Sequence, residues 1–490
     1  MSSAQDELLA HVRSSSDCVA FVERNEAGAT RHVRWTDLER WSTRWMRVLA
    51  TRGIQRGARV AVQATTSLEL VAALVAHHRA GVIHVPINTR YKEREVAHIM
   101  EDSGATVLID DAALAEMHTA DADRVSPLED VDAHDEDTAL LIYTSGTTGK
   151  SKGVELPFRA IARGIGALTG LWRWTRHDRL ALALPLFHVH GLCIGVHGTL
   201  LHGMSSELQT RFEPSEVVGA FERGATIFMG VPTMYARLLR YLDEHPERAT
   251  PLRGGRLFTS GSAALPAADH ERFRAHTDHS ILERYGMSET LLTLSNPYEG
   301  ERRPGSVGFA VPGTEVRVVD EHFQDVRAGE QGEIVVRGPS VMTGYFGNPS
   351  ATEAAFRDGW FLTGDAATRD RDGYLRISGR KSVDILKSGG FKISAREIEE
   401  VILEHPQVAE AAVVGLPDSE WGQRIAAVVV AVSPDASQGL DDAVARWCEA
   451  RLAGFKKPRE VTLWDALPRN ALGKLQKHRI VRQLASDTES

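Results

Sequence analysis

Cysteine is almost missing from this chain. Cys18, Cys193 and Cys448 are the only three in 490 residues. They are too scattered for a disulfide framework and lack the C-x-x-C spacing of a metal knuckle, so a reducing, cytoplasmic setting is expected. An excess of basic charge is missing too. The 57 Lys and Arg against 66 Asp and Glu leave a net charge of −9, which argues against a nucleic-acid partner, because binding by counterion release needs a basic face. No apolar run reaches the ~18 residues of a transmembrane helix. Residues 68–85 come nearest, but His77, His78 and Arg79 interrupt them, and they read as a buried helix followed by a strand over 82–86. The first residues, Met1-Ser-Ser-Ala-Gln-Asp-Glu7, have neither the basic start nor the apolar centre of a signal peptide. Internal repeats are also absent. These gaps describe a soluble protein with no membrane span.

What is present is ordinary in bulk and informative in pattern. Hydrophobic content of 42% and charged content of 25% suit a globular protein, and the length calls for two or more domains. In the first half, helical patterns alternate with short aliphatic strands over 59–62, 81–85, 106–109 and 225–229, the signature of parallel βαβ units. Residues 121–138 are acidic and poor in apolar side chains, so they read as an exposed loop. Over 312–336 the strands become closely spaced, which suggests a small barrel-like subdomain. A charged turn at 369–373 precedes Gly379-Arg380, and the boundary is placed there. The expectation is an α/β fold: a layered N-terminal body over 1–379 with the small β-barrel-like subdomain, and a small α+β C-terminal domain over 380–490.

The densest signal is Tyr143-Thr-Ser-Gly-Thr-Thr-Gly-Lys-Ser-Lys-Gly153. Glycines allow close approach, hydroxyls and backbone N–H groups offer donors, and two lysines supply charge, as a phosphate cradle requires. A P-loop would end on Gly149-Lys150-Ser151 but needs Gly at 144, where this chain has Thr, and no clean helical pattern follows Ser151. Taken alone, the segment also reads as a plain Ser/Thr/Gly surface loop.

Further motifs follow in order: Arg284-Tyr-Gly-Met-Ser-Glu289, Gly359-Trp-Phe-Leu-Thr-Gly-Asp365, Gly379-Arg380 before Asp384-Ile-Leu-Lys-Ser-Gly-Gly390, and Pro468-Arg-Asn-Ala-Leu-Gly-Lys474. Together with the Ser/Thr/Gly loop they resemble the signatures of the acyl-adenylate-forming superfamily of acyl-CoA synthetases, luciferases and adenylation domains. Ser151 stands where that family usually has Pro. The segments at 184–191, 260–266 and 283–287 look most like those of malonyl-CoA and methylmalonyl-CoA synthetases.

The resemblance implies ATP, Mg²⁺ and coenzyme A, and a two-step ligation through an acyl-adenylate. Thr144, Ser145, Gly146, Thr147, Thr148, Gly149, Lys150 and Lys152 would hold phosphate, with Lys152 as the family lysine where the P-loop rival chooses Lys150. Glu289, with Thr144, would hold Mg²⁺. Tyr285 would stack on adenine against the main chain of Ser262, Ala263 and Ala264, with Glu283, Gly286, Met287 and Ser288 completing the nucleotide pocket. Asp365, presented by the Thr363-Gly364 turn, and Arg380 would reach the ribose. Lys474 would act on the adenylation step alone. A mobile C-terminal lid would then turn about a hinge near Ser382, so that Ser388, Gly389 and Gly390 line a path for pantetheine. The hinge segment is one residue longer here than in the family. As isolated residues, Tyr285 reads as core, Glu289 as a solvated carboxylate, Asp365 as a turn residue and Lys474 as a solvent-facing cation.

Three polar features fall in segments that would line the acyl pocket: His188 and His190, Arg237, and Arg284. A buried Arg without a partner is costly, so Arg237 and Arg284, with His190 and Ser262, are expected to hold a second carboxylate on the substrate. The plainer alternative puts Arg237 on a helix surface and pairs Arg284 with Glu283 or a phosphate. His188 and His190 lack the further ligands of a metal site. A medium-chain or aromatic acyl-CoA synthetase would differ only in the pocket lining. An adenylation enzyme would differ in its carrier-protein acceptor, and no carrier domain is fused here. The expected partners are small molecules, namely a carboxylic acid, ATP and CoA, and the expected assembly is a monomer or weak homodimer.

Overall fold

The computed structural model describes residues 2–14, 16–24, 30–119, 125–144, 151–380, 384–388, 391–418, 421–452, 454, 456–470 and 473–488. Its contacts form two compact units, Met1–Val316 with Val336–Phe361, and Arg317–Val335 with Leu362–Ser490. The charged turn at 369–373 before Gly379-Arg380 places the boundary at 380. The difference has a backbone cause: strand Leu375–Arg380 pairs antiparallel with Trp360–Arg369, with Arg380 opposite Asp365.

The first unit is built on two large sheets, as alternating helices and strands demand. One has nine strands in the order Phe309–Ala310, Leu294–Ser295, Leu282–Tyr285, Leu257–Ser260, Ile227–Gly230, Arg179–Leu182, Ser205–Gln209, Val19–Arg24 and Thr30–Arg34. Its six central strands, from Leu282–Tyr285 through Val19–Arg24, pair in parallel. The other has six strands in the order Gly344–Tyr345, Lys152–Pro157, Thr138–Thr144, Ile83–Pro86, Arg59–Val62 and Val107–Ile109. A core including Phe228, Tyr235, Phe258 and Phe273 fills the space beside Ile227–Gly230 and Leu257–Ser260.

The second unit holds most of a five-stranded sheet, then a two-stranded ribbon, Ile385–Ser388 with Phe391–Ser394, and a three-stranded sheet, Val408–Asp418, Gly422–Ala431 and Glu460–Leu463. Helices Ala395–Leu403 and Leu440–Arg451 supply the core on one face of the three-stranded sheet. Among the described residues, no helix is long and apolar enough to cross a membrane.

Residues 68–79 form the expected buried helix, capped by the Ser67 hydroxyl on the Leu70 N–H. Its polar end is accommodated internally. Arg79 makes a two-pronged contact with Asp130 at 2.7 and 2.8 Å. The Trp45 indole donates to His77 Nε2 at 3.2 Å, and His77 Nδ1 lies 2.9 Å from His84 Nδ1. His78 and His197 meet through Nε2 at 2.7 Å. All four imidazoles are buried. Desolvation holds each of them below the ordinary histidine range, His77 at about 3 and His197 at about 4.

Acid sensitivity follows from these depressed values. The unfolded chain takes up protons near pH 6.5 and the folded one does not. Stability is therefore intact above that value and falls as pH drops toward 4, because each imidazole kept neutral in the fold opposes the proton uptake that the unfolded chain allows. Thermal unfolding at pH 7.5 and at 5.5, above the carboxylate range, is expected to show a drop in Tm of several degrees. A flat profile would show that these rings are protonated in place.

Candidate active site

Strands Leu257–Ser260 and Leu282–Tyr285 run parallel, with Ser260 opposite Glu283, so the segments that follow them leave the sheet side by side. Ligands of parallel sheets gather at these carboxyl ends. Ser262, Ala263 and Ala264 are exposed there, and Ser262 has φ of 69°, unusual for a residue with a side chain. The next turn is tight: a Cβ on Gly286 would lie 1.9 Å from the Leu291 carbonyl oxygen. The Thr293 N–H donates to the Tyr285 carbonyl at 2.9 Å and the Leu291 N–H to that of Met287 at 2.8 Å. Tyr285 is half-buried, its hydroxyl 3.8 Å from the Met287 sulfur, while Ser288 and Glu289 are buried.

The Glu289 carboxylate accepts from the Tyr345 hydroxyl at 3.1 Å, and its carbonyl from Met342 N–H at 2.8 Å. The ammonium of Lys152 stands over the Tyr345 ring, 5.1 Å from its centre, a geometry in which a cation is held by ring electrons. Lys152 is paired in register with Thr144, and Tyr345 with Val154. Lys152 and Glu289 thus meet on Tyr345, a residue that no sequence motif singled out, and Thr144 lies opposite Lys152 on the neighbouring strand. Hard oxygen from Glu289 and Thr144 suits Mg²⁺. After Ser151 the chain continues as strand Lys152–Pro157 rather than a helix, which removes the P-loop reading. Ser145, Gly146, Thr147, Thr148, Gly149 and Lys150 lie outside the described residues.

Arg284 is the electrostatic anomaly. It is 5% exposed, and among the described residues its Nε and Nη2 have no hydrogen-bond partner. Burial alone pulls its pKa down to about 9. A Cβ on residue 261 would sit 2.5 Å from the guanidinium carbon, so glycine there is what gives the side chain room. His190 is also buried, and among the described residues both its ring nitrogens lack a partner. Its protonation is opposed first by desolvation and next by the charge of Arg284. A buried cation with two unsatisfied nitrogens beside an unsatisfied imidazole is a costly arrangement for an apolar ligand to meet and a favourable one for an anionic oxygen. His188 lies close by, its Nδ1 accepting the His190 N–H at 3.2 Å.

Two expectations for this region need correction. Arg237 is not desolvated: it lies on the exposed face of helix Pro232–Glu244, 3.2 Å from Glu213 and over the Phe212 ring. Its charge therefore needs no substrate anion. Glu283 was grouped with the nucleotide ligands, but its buried carboxylate is occupied by His270 Nε2 at 2.9 Å and by the N–H groups of Leu265 and Gly305 at 3.2 and 2.7 Å. Among the described residues it is not paired with Arg284.

In the second unit, Asp365 lies within strand Trp360–Arg369, not at a turn tip, and its carboxylate is 3.0 Å from Arg380 Nε. Arg380 also donates to the Thr363 carbonyl at 3.1 Å, so the two proposed ribose ligands form one unit. Ser388 is buried at the end of its ribbon. Ser382, Gly389 and Gly390 fall outside the described residues. Lys474 is exposed at the end of a turn closed by the Asn470 N–H on the Lys474 carbonyl at 2.9 Å and the Lys474 N–H on Asn470 Oδ1 at 2.9 Å.

Residues 8–346 match the AMP-binding enzyme family, and residues 397–474 match the AMP-binding enzyme C-terminal domain. A mitochondrial malonate–CoA ligase of Mus musculus is 36% identical over 87% of this chain and 82% of its own. A feruloyl-CoA synthase of Amycolatopsis sp is 35% identical over 93% of this chain and 96% of its own. Among solved structures, ATP-bound MatB from Rhodopseudomonas palustris superposes with a TM-score of 0.90 at 35% identity, covering 98% of each chain.

Proposed function

Because the chain belongs to the AMP-binding enzyme family, we propose that it is an AMP-forming acid–thiol ligase that joins malonate or methylmalonate to coenzyme A. The substrate carboxylate attacks the α-phosphate of ATP and pyrophosphate leaves. The CoA thiol then attacks the acyl-adenylate and AMP leaves. One observation carries the choice of acid: beside His190 lies the buried guanidinium of Arg284, whose Nε and Nη2 find no partner among the described residues. A second carboxylate on the substrate supplies the missing counter-charge, and a guanidinium grips it through two N–H groups. Similarity to a malonate–CoA ligase supports the same reading.

The remaining roles follow from chemistry and position. Lys152 balances phosphate charge. Tyr285 packs against adenine opposite the main chain at 262–264. Asp365 and Arg380 hold the ribose as a pair. Glu289 and Thr144 would bind Mg²⁺, which when present neutralises charge on the phosphates. Lys474 serves adenylation, and residues 380–490 act as the mobile lid, with Ser382 as hinge and Ser388, Gly389 and Gly390 along the pantetheine path. Ser262 borders the acyl site. We further propose a cytoplasmic monomer or weak homodimer with no nucleic-acid partner. The mouse relative is mitochondrial, so compartment is a separate test by fractionation.

The rival reading is an aromatic or medium-chain acid, favoured by the feruloyl-CoA synthase similarity. A pyrophosphate-release screen of mono- and dicarboxylic acids, with and without CoA, separates the two. Malonate or methylmalonate is expected to outpace propionate and butyrate by up to about 10⁴-fold, since an acid without the distal charge leaves Arg284 unpaired. Preference for ferulate, benzoate or hexanoate would reject the dicarboxylate reading. Release that needs a carrier protein in place of CoA would reject the acceptor.

A further inference from the structure

The second unit contains a buried ion cluster with no part in the roles above. Lys477 opens helix Lys477–Thr488, and its side chain is only 9% exposed. Its ammonium is 2.5 Å from Asp384 Oδ1 and 2.7 Å from Glu399 Oε1. Both carboxylates have further duties. Asp384 Oδ2 accepts the Arg380 N–H at 2.8 Å, and the Asp384 N–H donates to the Arg380 carbonyl at 2.7 Å. Glu399 Oε1 accepts the Val413 N–H at 2.7 Å. One cation therefore gathers the segment after Arg380, the helix Ala395–Leu403 and the start of the last helix.

Lys477 follows Lys474 by three positions. Between them, Leu475 bridges to Arg469, and the Gln476 N–H donates to the Pro468 carbonyl at 2.8 Å. The other leg of the turn is tied by Arg469 to Glu410, a pair on the surface. Surface pairs hold little, whereas a buried ammonium between two carboxylates has no solvent to replace a lost partner. Burial pulls the Lys477 pKa down, but the two carboxylates outweigh it and hold it above the ordinary lysine value. It therefore remains charged.

We propose that Lys477 is a positioning residue for Lys474, fixing the base of its turn against Asp384 and Glu399 and thereby coupling that turn to the segment that follows Arg380. This rests on the assignment of Lys474 to adenylation. In the test, Lys477→Met is measured in both half-reactions, beside Lys474→Ala and the double variant. Misplacing a charge that acts on a transition state costs about 10²-fold, so adenylation by pyrophosphate exchange is expected to fall by that order. Thioester formation from supplied acyl-adenylate stays within about twofold, and the double variant is no slower than Lys474→Ala within the same margin. Lys477→Arg recovers part of the loss.

Equal losses in both half-reactions, or losses that multiply in the double variant, would make Lys477 a merely structural residue and overturn the proposal. If Lys474→Ala itself leaves adenylation intact, the fault lies in the assignment of Lys474. Should Lys477→Met fail to fold, Asp384→Asn keeps the Glu399 contact and cuts only the tie to the segment after Arg380. It is then expected to give the same split at smaller amplitude, and an even loss there would equally overturn the proposal.

Discussion

Lys474→Ala is expected to suppress adenylate formation by roughly 10²–10³-fold, the scale for removing one charge aimed at a transition state. Thioester synthesis from a supplied acyl-adenylate stays near the wild-type rate. The side chain stands exposed, so its loss opens no cavity in the core, and Tm is expected to hold. A residue that serves one half-reaction stabilises charge that develops in that step only. Stopped assays of each half-reaction, with Tm alongside, are the measurement. A parallel loss in both steps would remove Lys474 from the adenylation chemistry.

Arg284→Met produces the opposite combination, lost function with gained stability. Removing the group that meets the distal carboxylate is expected to cut kcat/KM for malonate on the order of 10³-fold, while ATP binding by calorimetry remains measurable. The native guanidinium is buried, with two nitrogens unpartnered among the described residues. Replacing an uncompensated buried charge by an apolar side chain is generally neutral or stabilising, so Tm should rise by about 1–4 °C. Activity on propionate is expected to rise with it. A variant that loses malonate activity and also melts lower would place Arg284 in the scaffold.

Much of this site was legible because its chemistry is written in contiguous segments. The strand–turn pattern around residues 282–289 drew attention to Arg284 and Glu289, and both are buried in the fold. The errors have definite causes. Glu283 and Arg284 are neighbours in sequence, yet consecutive strand residues face opposite ways, so one braces His270 while the other turns toward Gly261. Arg237 stands on an amphipathic helix whose Leu238, Leu239 and Leu242 take the core, which leaves the polar face to solvent. Gly364-Asp365 reads locally as a turn, but pairing with strand Leu375–Arg380 draws it into a ladder. Tyr345 and Lys477 could not be read at all. The hydroxyl of Tyr345 meets a carboxylate 56 positions away, and the ion partners of Lys477 lie on Asp384 and Glu399. No spacing rule reaches across such gaps.

The order of strands in the nine-stranded sheet also sets a timetable for the chain as it is made. Strand Val19–Arg24 pairs with Ser205–Gln209 on one side and with Thr30–Arg34 on the other. The hairpin can form as soon as it leaves the ribosome, but its place in the sheet does not exist until residue 209 has followed. At synthesis rates of about 5–20 residues per second, that wait is roughly 10–40 s. Through that interval an apolar edge, with Phe21 and Val22 due for complete burial, stands open to other nascent chains. Slow translation ahead of residue 205 should therefore lower the yield of folded enzyme more than slow translation after residue 285, and a factor that covers strand edges should offset the difference.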